Sequence, residues 1–421
     1  MGKGQTLAQK ILARHVDRER VEIGEVIFPK FDFYICQEMP FPEFWKETES
    51  MGVTELANPD RMIIVADHEV PVLSMKGRNR WTRTLELIDQ LRIKHVFKPG
   101  NAGIQHLLLP EKGFILPGHL TCSFDVHALN FGALGCYPFT AVYEFPAVMA
   151  TGTIWLTVPE TILVHLDGKL PYGCGIRDLA LCVIGMIDAK MADSRAIQFT
   201  GSGVSELSVN ERMILCGVMT ELGVETTLIE PDEKVFDYVE KVAVEPFVPL
   251  YGDKDASYAA EYHIDLGELE PMIAKPPNPD NVVPLHEVAG LNINSAYIGS
   301  CQSGTIEELR AAAEILKGRK VHPDVPLLIV PSTQETYRQA AEEGLVEVFA
   351  AANAMMLGPT CSPCFGMVFQ MEKGEVRITT ATRNDRGRMG SLESDIYLAG
   401  ASVVAASAVM GKVTDPQELM V

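Results

Sequence analysis

No apolar run in this 421-residue chain reaches the ~20 residues that a membrane-spanning helix needs. The start, MGKGQTLAQKILARH, has the pattern of an amphipathic helix and lacks a secretory apolar core. Basic residues are in the minority, 36 against 56 acidic, and the formal charge is −20. That balance argues against a nucleic-acid or anionic-membrane partner, although not against a small anionic substrate met by a local group of arginines. Internal repeats and low-complexity tracts are absent as well. Nine cysteines are an odd number for a disulfide framework, so the expectation is a cytoplasmic protein with reduced thiols.

What remains is ordinary globular material, 47% hydrophobic and 22% charged, with length for two to four domains. Short β-rich runs alternate with helical ones. Strands are expected at 61–72, around HVFK, at 153–158 and 161–168, and at SAYIG and PLLIVP. Helices are expected at 84–93, 176–188, TIEELRAAAEILKGRK and TQETYRQAAEEG. This alternation predicts an α/β fold with mostly parallel sheets. The Pro- and Asp-rich stretch 244–288 reads as an exposed connection, which places boundaries near 160 and 285.

Three places could carry chemistry. In GPTCSPCFGM, Cys361 and Cys364 share a turn of proline and glycine. In AYIGSCQSGTIEELRAAAEILKGRK, Cys301 lies just before a helix whose expected capping box is Thr305 with Glu308. A helix N-terminus favours a thiolate, the form a metal ligand needs. A redox disulfide, a zinc site, an iron–sulfur cluster with one open iron and simple buried thiols all remain open. Asp67-His68 ends a strand, and His106, Asp125 and His127 sit in glycine-bounded turns, which suits proton transfer by imidazoles oriented by carboxylates. Arg383, Arg386 and Arg388 stand among glycines and could grip carboxylates.

These segments together resemble the large subunit of the 3-isopropylmalate dehydratase and homoaconitase type, in the aconitase superfamily. The similarity runs through TLAQKILARH, ADHEVP, LPEKGFILPG, ATGTIWLTVPETI, IEPDE, PTCSPC, TRNDRGRMG and ASAVMGKVTDP. The resemblance implies an aconitase-like fold of three α/β/α domains, 1–160, 161–285 and 286–421, around a [4Fe–4S] cluster held by Cys301, Cys361 and Cys364. It implies a hydro-lyase acting on a 2-hydroxy dicarboxylate such as 3-isopropylmalate or 2,3-dimethylmalate. Asp67, His68, His106, Asp125, His127 and Glu221 match its acid–base and cluster-side positions, and Arg383 and Arg388 its carboxylate-binding arginines. In that family the catalytic serine lies on a swivelling domain; here it is expected on a small partner subunit.

The chain departs from the pattern at Gln37, Leu107, Val126, Ala128, Gly217, Ser303 and Thr382, where hydrogen-bonding residues are usual or, at Gln37, often a histidine. The apolar pair Val126 and Ala128 suggests room for substrate methyl groups. The thinned pocket also admits a cluster-binding sensor or scaffold without turnover.

Overall fold

A computed structural model of the chain describes residues 4–101 and 103–420. The N-terminal helix α1 spans Leu7–His15; Thr6 and Gln9 cap it reciprocally, and residues 1–3 of the expected helix lie outside the described residues. The chain folds into two compact units, one of residues 1–167 and 190–264, the other of 168–189 and 265–421. No helix among the described residues is long and apolar enough to cross a membrane.

The first unit holds two larger sheets and a two-stranded antiparallel one, Val26–Ile27 with Leu156–Thr157. Strands Phe33–Gln37 (β1), Met62–Val65 (β2), His95–Phe97 (β3), Leu120–Ser123 (β4) and Tyr137–Thr140 (β5) form an all-parallel sheet in the order β3-β2-β1-β4-β5. β1, β2 and β4 are buried along their whole length, as strands of a covered parallel sheet should be. The helix Gln105–Glu111 (α2) follows β3. The second sheet orders Thr161–Asp167 (β6), Ala196–Thr200 (β7), Thr226–Ile229 (β8) and Ala260–Asp265 (β9) as β8-β7-β6-β9. In the second unit, Met272–Ala274 (β10), Val282–Pro284 (β11), Ser295–Ile298 (β12), Leu327–Ile329 (β13), Met355–Met356 (β14), Val376–Thr379 (β15) and Asp395–Ala399 (β16) form a third sheet. Its order is β11-β10-β16-β15-β12-β13-β14, parallel except where β10 meets its neighbours. The helices Ile176–Met186 (α3) and Ile306–Leu316 (α5) belong to this unit, and Val209–Val218 (α4) to the first.

Both large sheets reverse their strand order at one place: between β1 and β4 in the first, between β12 and β15 in the third. Ligands of open α/β sheets sit beyond the carboxyl ends of the strands at such a switch.

Several expectations need correction. The stretch 244–288 carries three strands, because AEYHID, MIA and VVP each find a sheet neighbour. The expected strand 153–158 shrinks to Leu156–Thr157. The helix expected from 84 begins at Met75, where Ser74 caps it by accepting from the Gly77 N–H. Thr305 does stand at the N-cap of α5, but its buried hydroxyl makes no capping bond. Its expected partner Glu308 is buried, and both the Arg177 charge and the Thr305 backbone N–H act on its carboxylate.

Candidate active site

The first group of chemically capable side chains collects at the carboxyl ends of β1, β2 and β4, all within the first unit. β1 runs into Gln37 and Glu38, β2 into Asp67 and His68, and β4 into Asp125 and His127. His68 Nδ1 lies 2.6 Å from Asp67 Oδ1, and Asp67 Oδ2 accepts the Gln105 N–H at the start of α2 (2.8 Å). Asp125 is the hub. Its Oδ1 accepts the His127 backbone N–H and lies 2.9 Å from His127 Nδ1. Its Oδ2 accepts from Gln37 Nε2 at 2.7 Å and lies 3.7 Å from His106 Nε2. Glu221, in the turn after α4, places Oε1 3.6 Å from His127 Nε2. With Gln105 linking Asp67 to His106, the six expected residues Asp67, His68, His106, Asp125, His127 and Glu221 form one connected set.

The three imidazoles are tuned apart. Burial works against the positive charge on His68, yet Asp67 outweighs it and lifts the pKa to about 9. Burial likewise opposes charge on His127, and Asp125 with Glu221 lifts it to about 9. For His106, burial dominates and Asp125 only partly offsets it, so its pKa falls to about 4. The Asp125 carboxyl, which burial alone would push up, is drawn well below the ordinary carboxylate range by His106 and His127. Near pH 7 the set therefore holds two protonated imidazoles and one neutral one.

Sequence reasoning missed Glu38. Its carboxylate accepts the backbone N–H groups of Asp67 (3.3 Å), His68 (3.1 Å) and Glu69 (2.6 Å), holding the turn that presents Asp67 and His68. Its position at the end of β1, beside the switch, was the available signal. Two substituted positions also resolve. Val126 is half-buried, whereas the Ala128 methyl packs in the core with Phe33, Ile35 and Phe131 and so offers nothing to a substrate.

The second group lies within the second unit, at the ends of β12 and β15. β12 turns sharply through Gly299, where a Cβ would stand 2.8 Å from Val330 O, and then reaches Cys301. Cys361 stands at the N-cap of a single 3-10 turn, Ser362–Phe365, and Cys364 lies within it; Pro363 fits there because an early helical position needs no N–H donor. Gly366 (φ 74°) ends that turn, and a Cβ on it would stand 3.0 Å from Arg388 O. Cys301, Cys361 and Cys364 are exposed by only 1%, 4% and 0%, and all nine cysteines are thiols. Arg388 donates from Nε to Cys364 O at 3.1 Å. Burial disfavours its charge, but the Cys364, Cys361 and Cys301 sulfurs more than offset this and raise its pKa. Arg383 lies half-buried in the loop after β15, and Arg386 is exposed. Thr382, one of the substituted positions, puts Oγ1 3.2 Å from Cys301 Sγ, and Ser303 donates to Thr380 Oγ1 (2.7 Å).

Arg177 is a second residue that sequence reasoning missed. Fully buried at the start of α3, it donates from Nη2 to Gln302 O and Thr380 O, both at 2.8 Å. Its Nε and Nη1, the Gln302 amide and the Tyr297 hydroxyl are buried without a hydrogen-bond partner. Such orphans are rare and mark a place where a polar group belongs. Tyr297 feels all three cysteine sulfurs, and Arg177 feels Cys301 and Cys364. Three buried thiols with unsatisfied N–H and O–H donors beside them are what the sulfides and irons of a cluster require, so Cys301, Cys361 and Cys364 could hold one.

Comparison with known proteins matches the Aconitase family (aconitate hydratase) over residues 9–292 and 286–411. The chain is 39% identical over 417 residues to 3-isopropylmalate dehydratase large subunit 1 of Methanopyrus kandleri, covering 98% of this chain and 99% of that protein. It is 40% identical over 423 residues to the large subunit 1 of Pyrococcus abyssi (99% and 100%) and 39% over 420 residues to the large subunit of Halothermothrix orenii (99% and 100%). Among solved structures, it is similar to the holo form of Thermococcus kodakaraensis aconitase X, with a TM-score of 0.49 and 13% identity over 89% of this chain and 88% of that one.

Proposed function

The chain belongs to the aconitase family and is a hydro-lyase, and from that premise we propose that it is the large subunit of a [4Fe–4S]-dependent dehydratase for a malate-type 2-hydroxy dicarboxylate. Candidate substrates are 3-isopropylmalate and alkylated malates such as 2,3-dimethylmalate. The carrying observation is the end-to-end identity of 39–40% to 3-isopropylmalate dehydratase large subunits.

In this reading Cys301, Cys361 and Cys364 hold the cluster, which when bound supplies a Lewis-acidic iron for the substrate oxygen. Arg177, Gln302 and Tyr297 offer it hydrogen bonds. Arg383 and Arg388 bind substrate carboxylates. Dehydration breaks the C–O bond and one adjacent C–H bond and releases water, so the departing hydroxyl needs a proton. In this reading His127, charged near pH 7 and flanked by Asp125 and Glu221, gives it. Asp67 orients His68, and neutral His106 completes the hydroxyl-side set. The adjacent carbon-bound proton goes to a serine on the swivelling domain of a small partner subunit. The proposed domains, about residues 1–160, 161–285 and 286–421, each centre on one sheet, although α3, β10 and β11 of the middle stretch join the unit of the third.

With Ala128 buried in the core, Val126 alone of the two apolar substitutions is left to shape the fit of a methyl group. The test is the chain reconstituted anaerobically with iron, sulfide and its small subunit, assayed on a panel of alkylmaleates. Hydration consumes the double bond, so ultraviolet absorbance falls. Turnover of at least one malate-type substrate is expected; a cluster-loaded complex inert on the whole panel defeats the reading.

A further inference from the structure

Away from both groups described above, the second sheet of the first unit carries a set of metal-capable side chains. His165 lies on β6; Glu261 and His263 lie on the neighbouring strand β9, which forms the sheet edge. Alternate residues of a strand share a face, so Glu261 and His263 stand side by side. The His165 and His263 rings stack with centroids 4.3 Å apart and planes 3° from parallel. Glu261 Oε2 lies 3.5 Å from His165 Nε2, and one donor atom from each of the three residues lies within 4.8 Å of the others. The His165 Nε2 atom is shut off from solvent and has no hydrogen bond.

We propose that His165, Glu261 and His263 bind one divalent transition-metal ion of the zinc class. Two imidazoles and a carboxylate are the donor set that suits such an ion, and three protein ligands leave a fourth position for water. Ligands at ~2.1 Å from one ion lie at most about 4.2 Å apart. The in-plane lone pairs of two stacked rings do not converge, so closing on an ion turns the His263 ring out of the stack and swings Glu261 in, movements that the exposed side chains of both residues permit. His165 is the anchor: it is the least exposed of the three and its strand is interior to the sheet, whereas the other two ride on the edge strand. A bound ion would cross-link β9 to β6 and fasten an edge that otherwise has a neighbour on one side only.

The test is a calorimetric titration of the full chain with Zn2+, wild type against Glu261→Gln/His263→Ala. Both replaced side chains are exposed, so the fold is retained, and the cysteines and remaining histidines are common to both proteins and cancel in the difference. Wild type should take up one more equivalent, or bind its last equivalent at least about tenfold more tightly, since loss of even an outer partner of a ligand costs that much. Co2+ should give the wild type d–d absorption that is missing from the variant in the difference spectrum. Identical isotherms and spectra for the two proteins overturn the proposal. No catalytic turnover enters either readout, so the outcome stands apart from the dehydratase reading.

Discussion

Glu38→Ala removes the acceptor for three consecutive backbone N–H groups, those of Asp67, His68 and Glu69. A buried donor left without a partner costs about 1–3 kcal/mol, so three would cost about 3–9 kcal/mol if the gap stayed dry. Two effects return part of this. Glu38 is itself buried beside Asp67, which together push its carboxyl above the ordinary range, and removing it relieves that conflict. The N–H at 3.3 Å is also the weakest of the three bonds. We therefore expect the low end, about 3 kcal/mol, and for a unit of this size a fall in Tm of about 6–12 °C. Glu38→Gln keeps one carbonyl oxygen and should fall by about half as much. Because the Glu38 charge is among those that hold His68 near 9, the Gln variant should also lower the His68 pKa. Thermal melts read the first effect and histidine NMR titration the second. A Glu38→Ala protein melting within about 1 °C of wild type would refute the argument that this carboxylate holds the turn.

Glu225 borders a cavity of about 690 Å3 lined also by Phe139 and Trp155, and burial alone moves its carboxyl from 4.5 to about 7. Folding thus favours its protonated form: its penalty is absent below the unfolded value near 4.5, grows as pH rises, and reaches about 3 kcal/mol above 7. Glu225→Gln should stabilise the protein at pH 8 and not at pH 4, read by urea denaturation; an equal effect at both values would contradict the assignment. Asp125→Asn removes the charge that both His106 and His127 feel, so kcat of the reconstituted complex should fall by about a hundredfold or more. The measured pKa of His127 should drop with it. Cys361→Ser should leave a chain that binds less than half the wild-type iron and sulfide after anaerobic reconstitution, read by chemical analysis.

The parts legible in the sequence were those whose role follows from their own neighbours along the chain. Cys361 and Cys364 announce themselves by spacing, and Asp67-His68 by standing where an apolar run stops. Parallel α/β layering follows from the alternation of runs. What escaped depends on partners distant in sequence. Glu38 acts on backbone atoms 29 to 31 residues away. Arg177 meets Gln302 and Thr380, 125 and 203 residues away. The Thr305–Glu308 box is only half kept: the Glu308 carboxylate still feels the Thr305 backbone N–H, together with a buried arginine from another segment, while the Thr305 hydroxyl makes no capping bond. Similarly, β10 and β11 are three residues each, too short for periodicity to register, and exist because β16 offers β10 an edge and β10 offers one to β11.

The chain passes from the first unit to the second at residue 168, returns at 190, and leaves again after 264. During synthesis the α3 segment therefore emerges long before the sheet it packs on. The helix waits for β10 and β11, and Arg177 waits for Gln302 and Thr380. No single cut of the gene yields either half intact, so expressing one half alone calls for splicing two separated stretches.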